Sequence, residues 1–187
     1  MKDQKISMYL CYLLRHNPDA LGLSMDRHGY VDMEELIEKI NREGRYSLDS
    51  EQLARIVAQD QKGRYHVKDG RIAACQGHSI PWVEPELQSA VPPALLYHGT
   101  TVQAYQLIRS TGAISKMERH AVHLQAQPRT AWKSALRWKK NPVLLVIDAE
   151  KMAADGYAFG VSLNGVWCTE TVPVSYIKEA LYKLPAE

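Results

Sequence analysis

The sequence predicts an α+β protein of two lobes, on three observations. Helical apolar periodicity is concentrated in the first sixty residues, and strand-like runs dominate the second half. Between them lies "SIPWVEPELQSAVPPA", whose Pro81, Pro85, Pro92 and Pro93 mark an extended stretch. These place one lobe over residues 1–79, a linker over 80–94 and a second lobe over 95–187.

In the first lobe, Ile6, Leu10, Leu13 and Leu14 recur at helical spacing, and Asn17-Pro18 stops that helix. A second helix is capped by Asp32, with Glu35 three residues on completing a capping box. It carries the stripe Met33, Leu36, Ile37 and Ile40, and Gly44 stands where a glycine stop belongs. A third, capped at Asp49 or Ser50, buries Leu53, Ile56 and Val57. "RYHVKDGRIAA" then reads as a hairpin turning on Asp69-Gly70, with Tyr65 and Val67 alternating on one arm and Ile72 and Ala74 on the other. Three helices followed by a hairpin is the order of a winged-helix lobe.

In the second lobe, "LLYHG", "AVHLQ", "VLLVIDA", "YAFGVS" and "GVWCTE" read as strands, with helical segments near 102–110, 129–140 and 175–182. The mixture lacks the regular strand–helix alternation of a doubly wound sheet. Neither GxGxxG nor GxxxxGK[ST] occurs, so a nucleotide would have to be held without those phosphate loops.

Composition narrows the setting. A chain of 187 residues, 45% hydrophobic and 24% charged, is ordinary for a globular protein. A net charge of +2 gives no global basic field. Cys11, Cys75 and Cys168 form no CxxC pair, which argues for a reducing, cytoplasmic setting and against a disulfide frame or zinc site. The apolar run at 6–14 is short, interrupted by Ser7 and ends in Arg-His, so neither a signal peptide nor a membrane association is expected.

Polar residues gather at element ends. Arg15 and His16 close the first helix, with Arg15 almost opposite its apolar stripe. Cations in a last helical turn ordinarily just complement the helix dipole. "QGHS" places His78 and Ser79 after a glycine, and "YHGTT" places His98 before Gly99 and two hydroxyls able to cap a helix. "MERHAVHL" sets Arg119 ahead of a strand carrying His123, and "NGVWCTE" is a turn entering an aromatic strand. Each has a bland reading as a cap, a core histidine or a surface charge. Together they are harder to dismiss, because chemistry collects at loop ends.

The ordered set "LLRHNP", "QKGRY", "CQGHSIP", "LLYHGT", "RHAVHL" and "NGVWCTETVP" resembles the RNA 2′-phosphotransferase family of the KptA type, from about Ser7 to the C-terminus. The resemblance implies a winged-helix lobe followed by an ADP-ribosyltransferase-like lobe. It also implies NAD as a consumed co-substrate and 2′-phosphorylated RNA, tRNA-like or other, as the partner. The implied reaction forms an RNA-2′-phospho-ADP-ribose intermediate, then 2′-hydroxyl RNA, nicotinamide and ADP-ribose 1″,2″-cyclic phosphate. Carried over by motif, the catalytic quartet falls on Arg15, His16, Arg64 and Arg119. Guanidinium forks bind phosphate bidentately, and imidazole exchanges protons near neutral pH. The same resemblance assigns NAD contacts to His98, Gly99 and Thr100, to His78 and Ser79, to His123, and to Asn164, Gly165 and Val166. The chain departs from the family pattern at Ala121 and Gln125. With arginines supplying the positive charge, no metal is expected.

One feature is independent of the resemblance. No acidic residue lies between Arg119 and Ile147, while Arg129, Lys133, Arg137 and Lys140 fall at i, i+4, i+8 and i+11 beside Trp132 and Trp138. Such a stripe suits RNA phosphates and bases; a solvated helix with inward tryptophans is the alternative. Two other functions compete. An ADP-ribosyltransferase that modifies protein or nucleic acid would need a late-strand carboxylate, for which Glu170 is the candidate. A winged-helix DNA-binding regulator would explain residues 1–75 and nothing of "YHGT".

Overall fold

A computed structural model describes residues 2–184 and divides into two compact units, one ending at Glu86 and one starting at Leu87. Both mix helices with small antiparallel sheets.

The first unit opens with α1 (Lys2–Arg15) and a 3₁₀ turn (Pro18–Ala20), where Asn17 Oδ1 accepts from the Ala20 amide. There follow β1 (Val31–Asp32), α2 (Met33–Glu43), α3 (Ser50–Ala58), β2 (Tyr65–Lys68) and β3 (Arg71–Ala74). Ile6, Leu10, Leu13 and Leu14 of α1 meet Leu36 and Ile40 of α2 and Leu53 and Ile56 of α3 in one core. At Asp69 (φ 50°) and Gly70 (φ 72°) the backbone is left-handed twice over, as a tight hairpin turn between twisted strands requires. Val67 then faces Ile72, and β1 adds to the other edge in the order β1-β3-β2.

The expected capping box is only half formed. Asp32 accepts from the amides of Glu34 and Glu35, but Glu35 turns away to accept from the Ser24 amide and pair with Lys39. The partner for Glu35 comes from the preceding loop, which no three-residue spacing reveals.

The second unit contains β4 (Leu87–Ser89), β5 (Leu95–Thr101), α4 (Val102–Thr111), β6 (Ala113–Ser115), β7 (Val122–Leu124) and α5 (Pro128–Leu136). It continues with β8 (Pro142–Asp148), α6 (Ala149–Ala154), β9 (Gly160–Ser162), β10 (Trp167–Thr169), β11 (Thr171–Pro173) and β12 (Ile177–Leu181). Three sheets result, ordered β12-β8-β5, β4-β9-β10-β7 and β11-β6. Within the proline-rich stretch, Ile80 and Val83 are buried and Leu87–Ser89 pairs with β9.

Three expectations are corrected. Residues 175–182 are not helical: β12 pairs with β8. A register shift between Ile177 and Glu179 puts Ile177 opposite Ile147 and Ala180 opposite Leu145. The bulge therefore sets two apolar residues three apart on one sheet face, and that spacing imitates a helix. Second, α5 ends at Leu136, with Arg137 as its C-cap and Lys139 left-handed at φ 49°. Third, the strand read through Ala149 stops at Asp148, whose side chain caps α6 by accepting from the Lys151 amide. Among the described residues, no helix is long and apolar enough to cross a membrane.

Candidate functional site

The C-terminal end of α1 is the most constrained polar spot in the first unit. Ser7, Cys11 and Arg15 fall at i, i+4 and i+8, one flank of the helix beside its core stripe. The chain after β3 returns over this end: the Ser79 amide donates to the Arg15 carbonyl at 2.9 Å, and His16 Nδ1 lies 2.9 Å from Ser79 Oγ. Gly77, at φ 87°, lies close enough that a Cβ there would come within 3.7 Å of the Arg15 guanidinium carbon. Arg15 does leave the core stripe as expected, but this segment covers it rather than leaving it in open solvent. Its Nε and Nη2 are buried and have no hydrogen-bond partner among the described residues.

That is costly. Buried N–H donors without an acceptor lose hydration and gain no pairing in return. Nearby, burial pushes the Cys75 thiol up to about 11, against the opposing pull of Arg15. His78 is only 1% exposed and packs against Gly29, where a Cβ would come within 2.9 Å of His78 Nε2. Its burial is that of a core histidine.

Arg64 is held differently. Its Nε donates to Asp60 Oδ1 at 2.9 Å, its Nη2 pairs with the same oxygen at 2.7 Å, and Nη2 also donates to Ser7 Oγ at 3.1 Å. The Arg64 amide donates to the second Asp60 oxygen. Burial alone would raise the Asp60 carboxyl, but the Arg64 hydrogen bonds outweigh it and hold the group below the usual carboxylate range. Ser7 Oγ also meets Tyr65 Oη at 2.7 Å, and the Arg64 amide carbonyl accepts from Cys75. One network thus ties Arg64, Tyr65 and α1 together. Sequence reasoning missed Asp60, Ser7 and Tyr65; the only sequence signal was an Asp four residues before the Arg of "KGRY".

In the second unit, β5 sets the site. His98 and Thr100 stand opposite Leu145 and Val143, and so share the sheet face of the core. His98 Nδ1 lies 3.1 Å from the His123 carbonyl, which can only accept. The ring therefore carries its proton on Nδ1 and presents Nε2 as an acceptor. Burial holds His98 below its ordinary pKa, with Arg119 acting in the same direction against the opposing His123 bond. Arg119 Nη1 lies 3.5 Å from His123 Nδ1, and β5 and β7 are bridged by Tyr97 and Gln125. His98, Arg119 and His123 form one cluster.

Gly99 faces the other way. A Cβ there would sit 1.8 Å from the Ala131 carbonyl, because α5 lies directly on the strand. Its glycine is required by packing, whatever else it approaches. Thr100 is buried, while Thr101 caps α4 by accepting from the Ala104 amide at 3.2 Å. Asn164, Gly165 and Val166 form the β9–β10 turn around Ser162, whose Oγ lies 2.8 Å from Asn164 Oδ1 and accepts from the Val166 amide at 3.1 Å. Val166 is buried in that turn.

The basic stripe is shorter than the spacing predicts. Arg129 and Lys133 lie on α5 and Arg137 caps it, but Lys140 lies beyond the helix, so it does not continue the face. Trp132 is half-buried and Trp138 is 65% exposed, so only one of the two tryptophans packs inward. Three of the four quartet residues, Arg15, His16 and Arg64, belong to the first unit and Arg119 to the second.

Residues 1–171 match the model of the RNA 2′-phosphotransferase, Tpt1 / KptA family. The chain belongs to this family. Its relatives named "Probable RNA 2′-phosphotransferase" include one from Fusobacterium nucleatum, 42% identical across 94% of this chain and 98% of its own. One from Pseudomonas aeruginosa is 44% identical over 93% and 95%, and one from Rhizobium johnstonii 40% over 94% and 93%. The RNA 2′-phosphotransferases are enzymes, and this member is one of them. A solved structure from Caulobacter crescentus covers 46% of this chain and 83% of its own at 18% identity, with a TM-score of 0.37, too slight a likeness to carry any argument.

Proposed function

We propose that the protein is an NAD-dependent RNA 2′-phosphotransferase that removes an internal 2′-phosphate from RNA. Its products are 2′-hydroxyl RNA, nicotinamide and ADP-ribose 1″,2″-cyclic phosphate. The element order of the first unit supports a winged-helix lobe, and the second unit is read as ADP-ribosyltransferase-like. The observation that carries the proposal is Arg15, whose buried Nε and Nη2 have no acceptor among the described residues. A phosphate oxygen suits those two donors, since guanidinium forks match phosphate geometry and charge.

The residues divide by task. Arg15 binds the 2′-phosphate, and Arg64, immobilised by Asp60, is pre-oriented to add positive charge without reorganising. His16, oriented through Nδ1 by Ser79, is the group that moves a proton at the phosphate. Arg119 supplies further charge to phosphate oxygens. NAD, when bound, supplies an electrophilic ribose carbon with nicotinamide as leaving group. His98 fits a ribose in its donor set, because its Nε2 can accept from a sugar hydroxyl while Nδ1 stays committed to His123.

The test is direct. A short RNA carrying one internal 2′-phosphate is incubated with the protein, with and without NAD. Loss of the phosphate only with NAD is expected; ADP-ribosylated protein with the RNA phosphate retained would overturn the reading. An alternative, a carboxylate-dependent ADP-ribosyltransferase, would turn on Glu170. That side chain is 71% exposed and paired with Lys116 at 2.6 Å, a surface ion pair. Glu170→Gln is therefore expected to leave NAD-dependent dephosphorylation essentially unchanged.

A further inference from the structure

Between α5 and β8 the chain makes an exposed knuckle, Arg137-Trp138-Lys139-Lys140, that the phosphate chemistry does not use. Trp138 is 65% exposed and the adjoining Leu136 is 50% exposed. Lys139 takes a left-handed φ of 49°, uncommon for a residue with a side chain, so the knuckle is a turn rather than frayed helix. Its backbone is fixed on both sides. The Trp138 and Lys139 amides donate to the carbonyls of Ala135 and Leu136, and Pro142 pairs with Thr101.

An indole standing in water costs free energy, and burying it on the core would be the ordinary solution, as it partly is for Trp132. The surroundings name what would cover it. Arg129, Lys133, Arg137, Lys139 and Lys140 are all exposed, and no acidic residue occurs from Arg119 to Ile147. An apolar protein partner would not call for Arg137, Lys139 and Lys140 beside the ring in one turn, with two more cations on the preceding helix. A polyanion with flat, unstacked rings would.

We propose that the knuckle after α5 is a single-strand RNA platform, with a base stacked on Trp138 and flanking phosphates held by Arg137, Lys139 and Lys140. The inference rests on the RNA 2′-phosphotransferase reading and sharpens its substrate class. The indole can stack only on a base whose face is free, so the RNA enters here as a single strand rather than a duplex. Phosphate contacts alone would accept either form.

The experiment measures binding of fluorophore-labelled RNA carrying one 2′-phosphate, as a single strand and as the same sequence in a duplex. Wild type is compared with Trp138→Ala, Trp138→Leu, Trp138→Phe and the Lys139→Glu/Lys140→Glu double variant. Trp138 is exposed, so all should fold, and circular dichroism confirms it before binding is read. Loss of one stacked base is expected to raise Kd for the single strand about tenfold or more in Trp138→Ala and Trp138→Leu. Trp138→Phe keeps most of the affinity, and duplex binding is insensitive to all three. The double variant flattens the salt dependence by about two phosphate contacts. Equal affinity of Trp138→Ala and wild type for the single strand overturns the inference. So does a Trp138→Leu variant that binds like Trp138→Phe, which would make the site merely apolar. Wild-type dephosphorylation is followed in parallel samples with NAD added: its absence would sink the functional reading, while its presence with unchanged Trp138→Ala binding sinks only the platform.

Discussion

Arg15 is a residue the fold alone would not choose. Its Nε and Nη2 are buried yet have no hydrogen-bond partner among the described residues, an arrangement that costs stability rather than adding to it. Arg15→Met keeps the covered stem and removes the charge. It is expected to melt no lower than wild type, or higher, while its rate on 2′-phosphorylated RNA falls about 10²–10³-fold, the usual loss for one transition-state charge partner. A variant that loses stability and activity together would make Arg15 structural; thermal unfolding and single-turnover rates separate the two. His98 gives a second residue-scale test. Burial depresses its pKa, so the folded state resists a proton that the unfolded chain accepts. Its contribution to stability is therefore complete above the unfolded value of about 6.5 and drains away as pH falls from there through the folded pKa. His98→Asn should lack that slope in denaturant midpoints measured across this window, and parallel curves for the two proteins would refute the assignment.

At the scale of elements, α5 lying on β5 decides the most. Gly99 is a glycine because the Ala131 carbonyl occupies the space a Cβ needs, and a backbone carbonyl cannot swing aside. Gly99→Ala should cost about 3 kcal/mol or more, at or beyond the upper end for overpacking. A loss under about 1 kcal/mol in urea unfolding would show that α5 shifts easily. Local signals were legible wherever a backbone rule spoke: Asp49 and Gly44 cap their helices, and Asp69-Gly70 turns the hairpin. They failed where distant partners overrode the local pattern. The bulge in β12 made Ile177 and Ala180 look helical, and the Ser24 amide took the Glu35 side chain from its capping box. The extent of α5 failed for a third reason. Its charged residues kept helical spacing past Leu136, but spacing of solvent-exposed charges places no constraint on the backbone.

At the scale of the molecule, the residues proposed for the chemistry are divided between two units with separate cores, Arg15, His16 and Arg64 in one and Arg119 and His98 in the other. The proposed function assigns the phosphate charge to arginines rather than to a metal, so turnover is expected to survive excess EDTA. A chelator-sensitive rate restored by magnesium would contradict the site as drawn. The sequence by itself determined the mixture of helices and strands, the order of the three helices and the hairpin in the first unit, though not the short strand Val31–Asp32 that joins it, and the identity of the polar residues at element ends. Each follows from short-range rules: periodicity, caps and turns act within a few residues. Only the tertiary structure decided what those polar residues do. Nε and Nη2 of Arg15 are buried at the end of α1 where a segment sixty residues away returns, Arg64 is tied to a serine of α1 as well as to the aspartate of its own loop, and Gly99 is spoken for by a helix. Burial and pairing are properties of chains brought together from a distance, and no local pattern encodes which distant partner arrives.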